Sequence, residues 1–353
     1  MDCKGTLARH ACRQIICSNP KSQIQNPKLK KGTIIYNPVA GGRPAGRVRE
    51  VRKAAGVLRR LGLEIEMAPT LGPDMAHELA RAAVESGADV VLACGGDGTI
   101  NEVINGLAGS EVPLGILPGG TANILARELR IPLTPVRAAR QFLRWMPHRI
   151  ALGRARWCEP PVAPPAGQPA RDGGLAAPLL PPSPQNRERY YTCVAGVGYD
   201  AHVVYKLSPW LKLRMGVAGY VLEAIRQLLH YSFPEFSLRL NGHERQGTFA
   251  VIHRTRLYAG WLHLAPTAGL HQPIFAVCSF PSRSRLRYLV YAAAVLARQH
   301  LRLRGVTLDQ GTKVVCAPVD APETIRFELD GELAGVLPAT FEIVPDALTL
   351  LGP

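Results

Sequence analysis

Hydrophobic residues in the first 150 positions alternate between short continuous runs and helical spacing. Continuous apolar runs at 33–37, 63–70, 89–94 and 112–117 are typical of buried strands. Between them, apolar residues recur every three or four positions, which predicts helices. Helices are predicted at about 44–61, 73–86, 99–107, 124–130 and 134–146. Strands that alternate with helices indicate βαβ units. We therefore expect a Rossmann-like α/β domain with a parallel sheet over residues 31–148.

The pattern changes after residue 150, where short apolar segments are separated by turn residues. Such spacing predicts a mainly β domain, a β-sandwich, over residues 149–351. Predicted strands lie at 148–157, 190–195, 235–241, 246–253, 260–264, 273–280, 312–317, 323–329 and 335–344, with helices at about 206–230 and 282–300. Residues 1–30 are polar and mixed, and 159–187 are rich in proline. We expect both segments to be disordered, the second as an insertion in a hairpin.

Four polar features follow the first strands where each ends: Asn37, Thr70, Asp97 and Thr121. The carboxyl ends of parallel strands lie at one edge of a sheet and line one crevice. This placement predicts a nucleotide cleft at that edge.

The most informative turn is Gly-Gly-Asp-Gly-Thr at 95–99, between a predicted buried strand and a helix. Glycines allow a ligand to approach the backbone closely, and the amide groups at a helix N-terminus favour a phosphate. Asp97 would repel that phosphate unless a cation lies between them, so the turn predicts binding of Mg²⁺-nucleotide. A helix N-cap is the alternative role for Asp97.

The net charge limits the classes of partner, and the cysteine content indicates the cellular compartment. The net charge of +15 and a pI near 9.8 imply an anionic partner: nucleic acid, an anionic membrane surface or a phosphorylated substrate. The chain has no RNA-binding aromatic pattern or recognition-helix signature, so nucleic acid is not expected. Eight cysteines without a Cys-x-x-Cys pair predict reduced thiols in the cytoplasm. The longest apolar run, 288–297, is too short to span a bilayer.

Five motifs occur in the order found in one family of enzymes. They are Tyr-Asn-Pro-Val-Ala-Gly-Gly at 36–42, Gly-Gly-Asp-Gly-Thr-Ile-Asn-Glu at 95–102, Gly-Ile-Leu-Pro-Gly-Gly-Thr-Ala-Asn at 115–123, Val-Ala-Gly-Val-Gly-Tyr-Asp at 194–200 and Leu-Asp-Gly-Glu at 329–332. Between about 32 and 350 the chain resembles the diacylglycerol kinase and sphingosine kinase group of lipid kinases, its bacterial members most closely. The resemblance implies a nucleotide-binding α/β domain followed by a β-sandwich domain, with the active site between them.

The resemblance also implies roles for individual residues. ATP and Mg²⁺ are the expected cofactors, with Asp97 positioning the catalytic Mg²⁺ through water and Glu332 acting as the general base. The residues expected to bind ATP are Asn37, Gly41, Gly42, Thr70, Gly95, Gly96, Asp97, Gly98, Thr99, Asn101, Glu102, Thr121 and Asn123. Asp330-Gly331 is a hairpin dipeptide that would direct Glu332 into the cleft.

One family feature is altered in this chain. Relatives build a structural Mg²⁺ site from an Asp-Asp-Gly turn, whereas this chain has His271, Gln272 and Pro273 there. A neutral glutamine is a weak ligand for a hard cation, so the sequence does not favour a structural Mg²⁺ at Gln272. A second difference lies at His253 and Arg254, where an asparagine is expected.

The helix at 282–300 has an apolar middle flanked by arginines. It is either a half-buried core helix with a solvated basic end or a surface that docks onto an anionic bilayer. Lys206, Lys212 and Arg214, near Trp210, would join such a face. We therefore expect a cytoplasmic protein that associates peripherally with the inner face of the membrane.

The main functional hypothesis is transfer of the γ-phosphoryl group of ATP to a lipid hydroxyl, most simply from diacylglycerol to phosphatidate. Sphingosine or another long-chain lipid is an alternative substrate. An NAD kinase-like phosphotransferase and a basic nucleotide-binding module without catalysis are the other hypotheses. A homodimer is possible.

Overall fold

The fold was analysed in a computed structural model of the chain. The structure describes residues 29–40, 44–159, 185–208, 217–259, 261–320 and 324–353. Most of the first 30 residues and of the proline-rich insertion lie outside this part of the chain, and so do Gly41 and Gly42.

The first half is the expected α/β arrangement. Its strands are β1 (Lys31–Tyr36), β2 (Glu64–Pro69), β3 (Val90–Gly95) and β4 (Leu114–Pro118). They pair in parallel in the order β2-β1-β3-β4. Every residue of β3 and β4 is buried, which explains their continuous apolar sequence.

Five helices connect and cover these strands. They are α1 (Pro44–Arg60), α2 (Ala76–Glu85), α3 (Asp97–Leu107), α4 (Ile124–Glu128) and α5 (Pro135–Gln141). The helix predicted at 134–146 is shorter than expected, because a single 3-10 turn at Phe142–Arg144 follows α5 and β5 begins at Met146.

The second half contains twelve strands and three helices within the described residues. The strands are β5 (Met146–Glu159), β6 (Gln185–Tyr191), β7 (Val194–Gly198), β8 (Phe236–Leu240), β9 (His243–Gly247), β10 (Phe249–His253), β11 (Phe275–Phe280), β12 (Thr307–Gly311), β13 (Lys313–Pro318), β14 (Arg326–Leu329), β15 (Glu332–Val336) and β16 (Ala339–Gly352). The helices are α6 (Tyr199–Lys206), α7 (Val217–Leu228) and α8 (Arg285–Leu296).

These strands form two facing layers. One layer is a six-stranded sheet in the order β12-β11-β10-β7-β14-β15. The other layer continues the first-half sheet, in the order β4-β16-β13-β8-β9, with β5 and β6 on the far side of β16. Phe327 of the six-stranded sheet and Phe341 of β16 meet at ring centroids 5.4 Å apart in the core between the layers. The expected β-sandwich is confirmed.

The long strand β16 joins the two halves. Leu350 pairs with Leu114 of β4 in parallel, while the rest of β16 pairs antiparallel with β5 and β13. The parallel sheet of the first half is therefore completed by the last strand of the chain. The predicted domain limit at 148/149 falls inside β5.

Four strand predictions and one helix prediction need correction. The segment 246–253 contains the end of β9 and all of β10. The helix predicted at about 206–230 is α7 at Val217–Leu228, and Lys206 is instead the last residue of α6. Over the described residues 261–264 no strand forms, and Leu262 makes an isolated bridge with Tyr258. The segment 190–195 is divided: β6 ends at Tyr191 and β7 begins at Val194 in the other sheet. The single strand predicted at 335–344 is likewise two strands, β15 and β16.

The hairpin around the insertion is confirmed by the antiparallel pairing of β5 and β6 from Gly153↔Tyr191 to Glu159↔Gln185.

No helix in the described ranges is long and apolar enough to cross a membrane. Five cysteines lie in the described part of the chain, at 94, 158, 193, 278 and 316, and all five are unpaired there.

Candidate active site

The predicted polar residues meet at the carboxyl edge of the parallel sheet. Backbone hydrogen bonds join the loops: Thr70 N donates to Tyr36 O (2.9 Å), Asn37 N to Cys94 O (3.2 Å) and Gly119 N to Gly95 O (2.8 Å). The Asn37 side chain accepts from Val39 N at 2.9 Å and so closes its own turn. The loops after β1, β2, β3 and β4 therefore form one continuous edge.

The glycine loop between β3 and α3 is compact because it faces a second glycine loop. A Cβ on Gly120 would fall 2.5 Å from Gly96 Cα, so only glycine at 120 allows the two backbones to approach this closely. Helix α3 begins at Asp97, and its first turn is closed by Ile100 N, which donates to Gly96 O (3.1 Å). The amides of Gly98 and Thr99 precede that bond and lie at the positive end of the helix dipole.

Asp97 holds the two glycine loops together. Its carboxylate accepts hydrogen bonds from Asn123 N (2.9 Å) and Ile124 N (2.7 Å), at the start of α4. Asp97 therefore caps α4 rather than its own helix. Burial raises the pKa of Asp97, and the two backbone donors counteract this only in part. Asn123, in the left-handed region at φ 50°, completes the turn by exchanging hydrogen bonds with Gly120 N and O, both at 2.9 Å.

Three other predicted ATP-binding residues of α3 face inward. Thr99 is buried beneath the glycine loop. Asn101 is buried and reaches the second half of the chain, where Nδ2 donates to Asp330 Oδ2 (2.9 Å) and Tyr190 O (3.1 Å). Glu102 Oε2 accepts from Ala76 N (2.9 Å) at the start of α2. Their visible contacts are structural, whereas Thr121 is exposed at the rim.

Glu332 reaches the glycine loop from the opposite side of the cleft. Asp330 (φ 52°) and Gly331 (φ 85°) form a two-residue turn with both φ angles positive, a type I′ hairpin between β14 and β15. Glu332 follows the turn, and a Cβ on Gly98 would overlap its Oε1 atom. The structure thus brings Glu332 and the Asp97 turn together from positions more than 200 residues apart.

Asp330 anchors this hairpin. Its buried carboxylate accepts from the amides of Thr192 (2.8 Å), Cys193 (2.8 Å) and Val194 (3.0 Å), where the chain crosses from β6 to β7. Burial raises the pKa of Asp330, and the backbone hydrogen bonds oppose the shift. The predicted turn residue therefore also fixes the position of Glu332.

Family models match both halves of this architecture. Residues 31–155 match the model described as the diacylglycerol kinase catalytic domain, and residues 193–352 match the YegS C-terminal NAD kinase beta sandwich-like domain. The chain belongs to the diacylglycerol kinase-like family of lipid kinases.

Named relatives cover nearly the whole chain. A diacylglycerol kinase of Mycobacterium tuberculosis (strain ATCC 25618 / H37Rv) is 28% identical over 339 residues, which are 94% of this chain and 98% of the relative. A diacylglycerol kinase of Bacillus subtilis (strain 168) is 28% identical over 324 residues, 89% of this chain and 93% of the relative. The crystal structure of a diacylglycerol kinase from Bacillus anthracis strain Sterne superposes with a TM-score of 0.65 at 18% identity. It covers 92% of this chain and 98% of its own, and it supports the fold.

Two arginines of this lipid kinase site were not predicted from the sequence. Arg189 on β6 binds Glu332 Oε2 through Nη2 (2.6 Å) and Asn101 Oδ1 through Nε (2.9 Å). Arg47 in α1 donates to Ala40 O (3.3 Å) and to Gly119 O, linking the first and last loops of the cleft. Arg47 lies shortly after the 36–42 motif, which is a signal that sequence reasoning could have used. Arg189 has no such signal, because it follows the proline-rich insertion.

The loop in which the sequence does not favour a structural Mg²⁺ is organised by an arginine. The fully buried Arg254 donates to the carbonyl oxygens of Leu270 (2.8 Å), Ala151 (2.6 Å) and Gln272. Burial lowers the pKa of Arg254 to about 10. The described residues contain no group of three His, Cys, Asp or Glu side chains that could hold a metal ion. His271 and Gln272 offer no carboxylate ligand for a hard divalent cation in this loop.

Proposed function

We propose that this lipid kinase transfers the γ-phosphoryl group of ATP to the hydroxyl of diacylglycerol and produces phosphatidate, in a Mg²⁺-dependent reaction. The observation that carries the proposal is the position of Glu332. Its carboxylate lies against Gly98, at the N-terminus of α3, where the phosphates of a nucleotide would bind. The phosphates of the donor nucleotide and the carboxylate that activates the acceptor hydroxyl would then lie on either side of the glycine loop.

The nucleotide side consists mainly of backbone. The proposal places the phosphates on the amides of the 95–99 turn, with Asn37, Thr70 and Thr121 at the surrounding strand ends. Arg47 adds a positive charge between the loops, and its side chain is only 12% exposed. Gly41, Gly42, Asn101, Glu102 and Asn123 stay predicted ATP-binding residues.

The site fits a Mg²⁺ ion that arrives with the nucleotide. Mg²⁺ in kinase sites keeps several waters and uses one or two carboxylates together with phosphate oxygens. Asp97 is in reach of such a role through water, because each carboxylate oxygen has a second lone pair beside its backbone hydrogen bond. When bound, the ion neutralises charge on the transferring phosphoryl group.

The acceptor side rests on Glu332 as general base. The alcohol loses its proton as it attacks, and a carboxylate within hydrogen-bond reach can accept that proton. The side chain of Glu332 is 35% exposed, so it is open to a substrate, and Arg189 fixes its direction. Asp330 is buried and saturated with hydrogen bonds, so it is not proposed as the base.

Diacylglycerol is the favoured acceptor because the matched family domain and the named relatives are diacylglycerol kinases. Such a substrate stays in the bilayer, and the net charge of +15 suits an anionic inner membrane surface. Peripheral association with that surface is part of the proposal.

The test is purified protein with radiolabelled ATP, with and without Mg²⁺. The acceptors are diacylglycerol, sphingosine, a long-chain alcohol, phosphatidylglycerol and, as the soluble alternative, NAD. We expect transfer to diacylglycerol. Glu332→Gln is expected to lower kcat about 100-fold or more, the range of general base catalysis. Glu244→Gln, in an exposed ion pair with Arg239, is the matched control and should leave kcat unchanged.

Three results would overturn the proposal: no transfer to any lipid, transfer to NAD alone, or full activity of Glu332→Gln. Transfer to sphingosine in preference to diacylglycerol would keep the reaction type and change the substrate. Tight binding of ATP without turnover of any acceptor would instead support a nucleotide-binding module.

A further inference from the structure

Helix α7 has its polar side turned into the protein and its apolar side turned outward. Glu223 and Gln227 are buried, at 5% and 7% exposure, whereas Leu222 and Ile225 are 53% and 60% exposed. Val221 and Leu229 are exposed as well. With 3.6 residues per turn, these four apolar side chains fall within an arc of about 100° on the outer face. The polarity is the reverse of that expected for a surface helix of a water-soluble domain.

Helix α8 has the same outward apolar side. Within it only Tyr288 and Tyr291 are buried, while the exposed large side chains are Leu286, Leu289, Val290 and Leu296. The four aliphatic residues again share one face. A lone exposed leucine has no meaning, but two helices that each expose a continuous apolar stripe indicate a binding surface.

Inward-facing hydrogen bonds fix the rotation of both helices. The Tyr220 hydroxyl donates to Asp200, and Gln227 Oε1 lies 3.1 Å from His202 Nε2. On α8, the Tyr288 hydroxyl lies 2.8 Å from Thr248 Oγ1. Turning either stripe inward would break these buried contacts. The outward direction is therefore built into the fold.

The two stripes are neighbours. Tyr199 of α6 lies between the helices: its hydroxyl donates to Ala224 O of α7, and its ring centroid is 5.5 Å from that of Tyr288 on α8. Helix α6 in turn packs against β14 and β15, the hairpin that carries Glu332. The outward stripes of α7 and α8, called here the α7–α8 face, are thus connected to the acceptor side of the cleft.

Charge at the border of the face selects the partner. Arg226 on α7 and Arg285 and Arg287 on α8 flank the stripes. The only acidic residue in the two helices, Glu223, is buried on the inner side of α7, 3.9 Å from the guanidinium of Arg226, whose side chain is 72% exposed. An apolar stripe bordered by arginines is the pattern of helices that lie in the interface of an anionic bilayer.

We propose that the α7–α8 face docks onto an anionic lipid bilayer, with its aliphatic side chains among the acyl chains and its arginines at the headgroups. The proposal extends the proposed function, because a lipid kinase meets its substrate at such a surface. It also favours the second of the two interpretations of the helix predicted at 282–300, in which the arginines border a surface that docks onto an anionic bilayer. Lys212, Arg214 and Trp210 lie outside the described residues and carry no part of this argument.

The experiment is flotation of the full chain with vesicles of phosphatidylcholine, with and without phosphatidylglycerol. The test variants are Leu222→Gln/Ile225→Gln/Leu229→Gln on α7 and Leu286→Gln/Leu289→Gln/Val290→Gln on α8. Glutamine keeps helix propensity and removes apolar surface. We expect the native chain to bind phosphatidylglycerol vesicles. The affinity of each triple variant for them should be lower by a factor of about ten or more. Arg226→Gln/Arg285→Gln should reduce the dependence on phosphatidylglycerol.

The matched control is Leu133→Gln/Leu143→Gln, two exposed leucines beside α5, which should not change vesicle binding. Circular dichroism and unfolding midpoints establish that each variant is folded. Unchanged binding in both folded triple variants would overturn the proposal. So would light scattering that shows a native dimer dissociating in these variants, because the face would then bind a second copy.

Kinase assays separate this proposal from the proposed function. On short-chain diacylglycerol dispersed as monomers, the triple variants should retain the native rate, whereas on vesicles they should lose activity with their binding. A chain that floats through the α7–α8 face yet phosphorylates no lipid would refute the function and keep the docking surface. If the chain phosphorylates a lipid and the triple variants bind vesicles as the native chain does, the docking surface is refuted and the proposed function is kept.

Discussion

Glu332 owes its position to side chains that do not react. Arg189 holds its carboxylate, Asn101 holds Arg189, and Asp330 receives an amide hydrogen from Asn101. This series of contacts runs from α3 to the 330–331 turn and crosses the cleft. The geometry of the proposed base is therefore set by residues from three separate parts of the sequence.

Replacing Arg189 with methionine should lower kcat about 10- to 100-fold, because small displacements of a positioned group cost this much. The KM for ATP should change less than kcat, since Arg189 contacts Glu332 directly and reaches the nucleotide side through Asn101. The kcat of Arg189→Lys should lie between those of the native chain and Arg189→Met, because a lysine keeps the charge and loses the second hydrogen bond. Steady-state kinetics measures all three effects.

Arg187, on the same strand, is the matched control, because it pairs with Glu159 at the surface. Arg187→Met should leave kcat within a factor of about two. Equal losses in the two variants, or an unfolding midpoint that falls in parallel with kcat for Arg189→Met, would contradict a positioning role.

A buried carboxyl pair gives the fold a dependence on pH. The carboxylates of Glu328 and Asp200 both lie against Gly196 inside the second half of the chain, and burial raises the pKa of both groups. The folded state thus keeps a proton that the unfolded chain releases above its ordinary glutamate pKa of about 4.5. This contribution to stability is present below that pH and is lost as pH rises toward the folded pKa.

Glu328→Gln should flatten this dependence, because an amide of the same shape has no proton to lose. We expect its melting temperature at pH 8 to exceed that of the native chain by a few degrees, with a smaller difference at pH 5. Thermal unfolding between pH 5 and 8 measures it. A constant difference across that range would argue against a shared proton.

At this scale the sequence predicted where polar residues lie better than what they contact. Strand ends located Asn37, Thr70 and Asp97, because a parallel sheet aligns its carboxyl edge. The partner of Asp97, the start of α4, depends on how two loops pack and leaves no local pattern. Asn101 and Arg189 meet through tertiary contacts alone, which explains why Arg189 was missed.

Among the elements, the loop between β10 and β11 is held by a guanidinium where relatives were expected to use a metal. Arg254 gathers carbonyl oxygens of Ala151, Leu270 and Gln272 around one charge. It thereby ties the loop to β5. The resemblance identified the altered residues, and the structure shows the contacts that one of them, Arg254, makes.

Arg254→Met should lower the free energy of unfolding by about 3 kcal/mol, because buried carbonyls lose charged donors. Denaturant unfolding measures the loss. The native melting temperature without nucleotide should be the same in EDTA and in Mg²⁺. Arg256→Met, at an exposed ion pair with Glu128, is the control and should cost less than about 1 kcal/mol. Stabilisation of the native chain by Mg²⁺ alone would contradict this role for Arg254.

Continuous apolar runs predicted the elements of the first half well, because strands buried on both faces leave an unambiguous signature. The second half was harder. Residues 261–264 alternate like a strand, yet within the described part of the chain Leu262 makes only an isolated bridge with Tyr258. The α7–α8 face also confuses pattern reading, because its apolar residues point away from the core.

For the whole molecule, the decisive feature is the shared sheet. Strand β16 pairs with both β4 and β13, so the first half and the sandwich share one sheet and are not consecutive independent units. Periodicity predicted both halves but not this pairing, because a contact between residues 114 and 350 leaves no trace in local sequence.

A fragment of residues 1–159 should therefore be insoluble or unfold without cooperativity, because the edge of β4 and one side of β5 are exposed. Co-expression of 1–172 with 173–353 should restore a soluble complex, since the break lies between β5 and β6. Co-purification and thermal unfolding measure the result. A soluble 1–159 fragment with the native melting temperature would show that β16 is dispensable for that half.

The same strand sets an order of events during synthesis. Roughly 200 residues separate β4 from β16, which at about 5–20 residues per second is tens of seconds on the ribosome. Throughout that interval the first half emerges with an unpaired strand beside its future catalytic loops. A cell that makes this protein must shield that edge, so we expect chaperone demand to depend on the speed of translation across the second half.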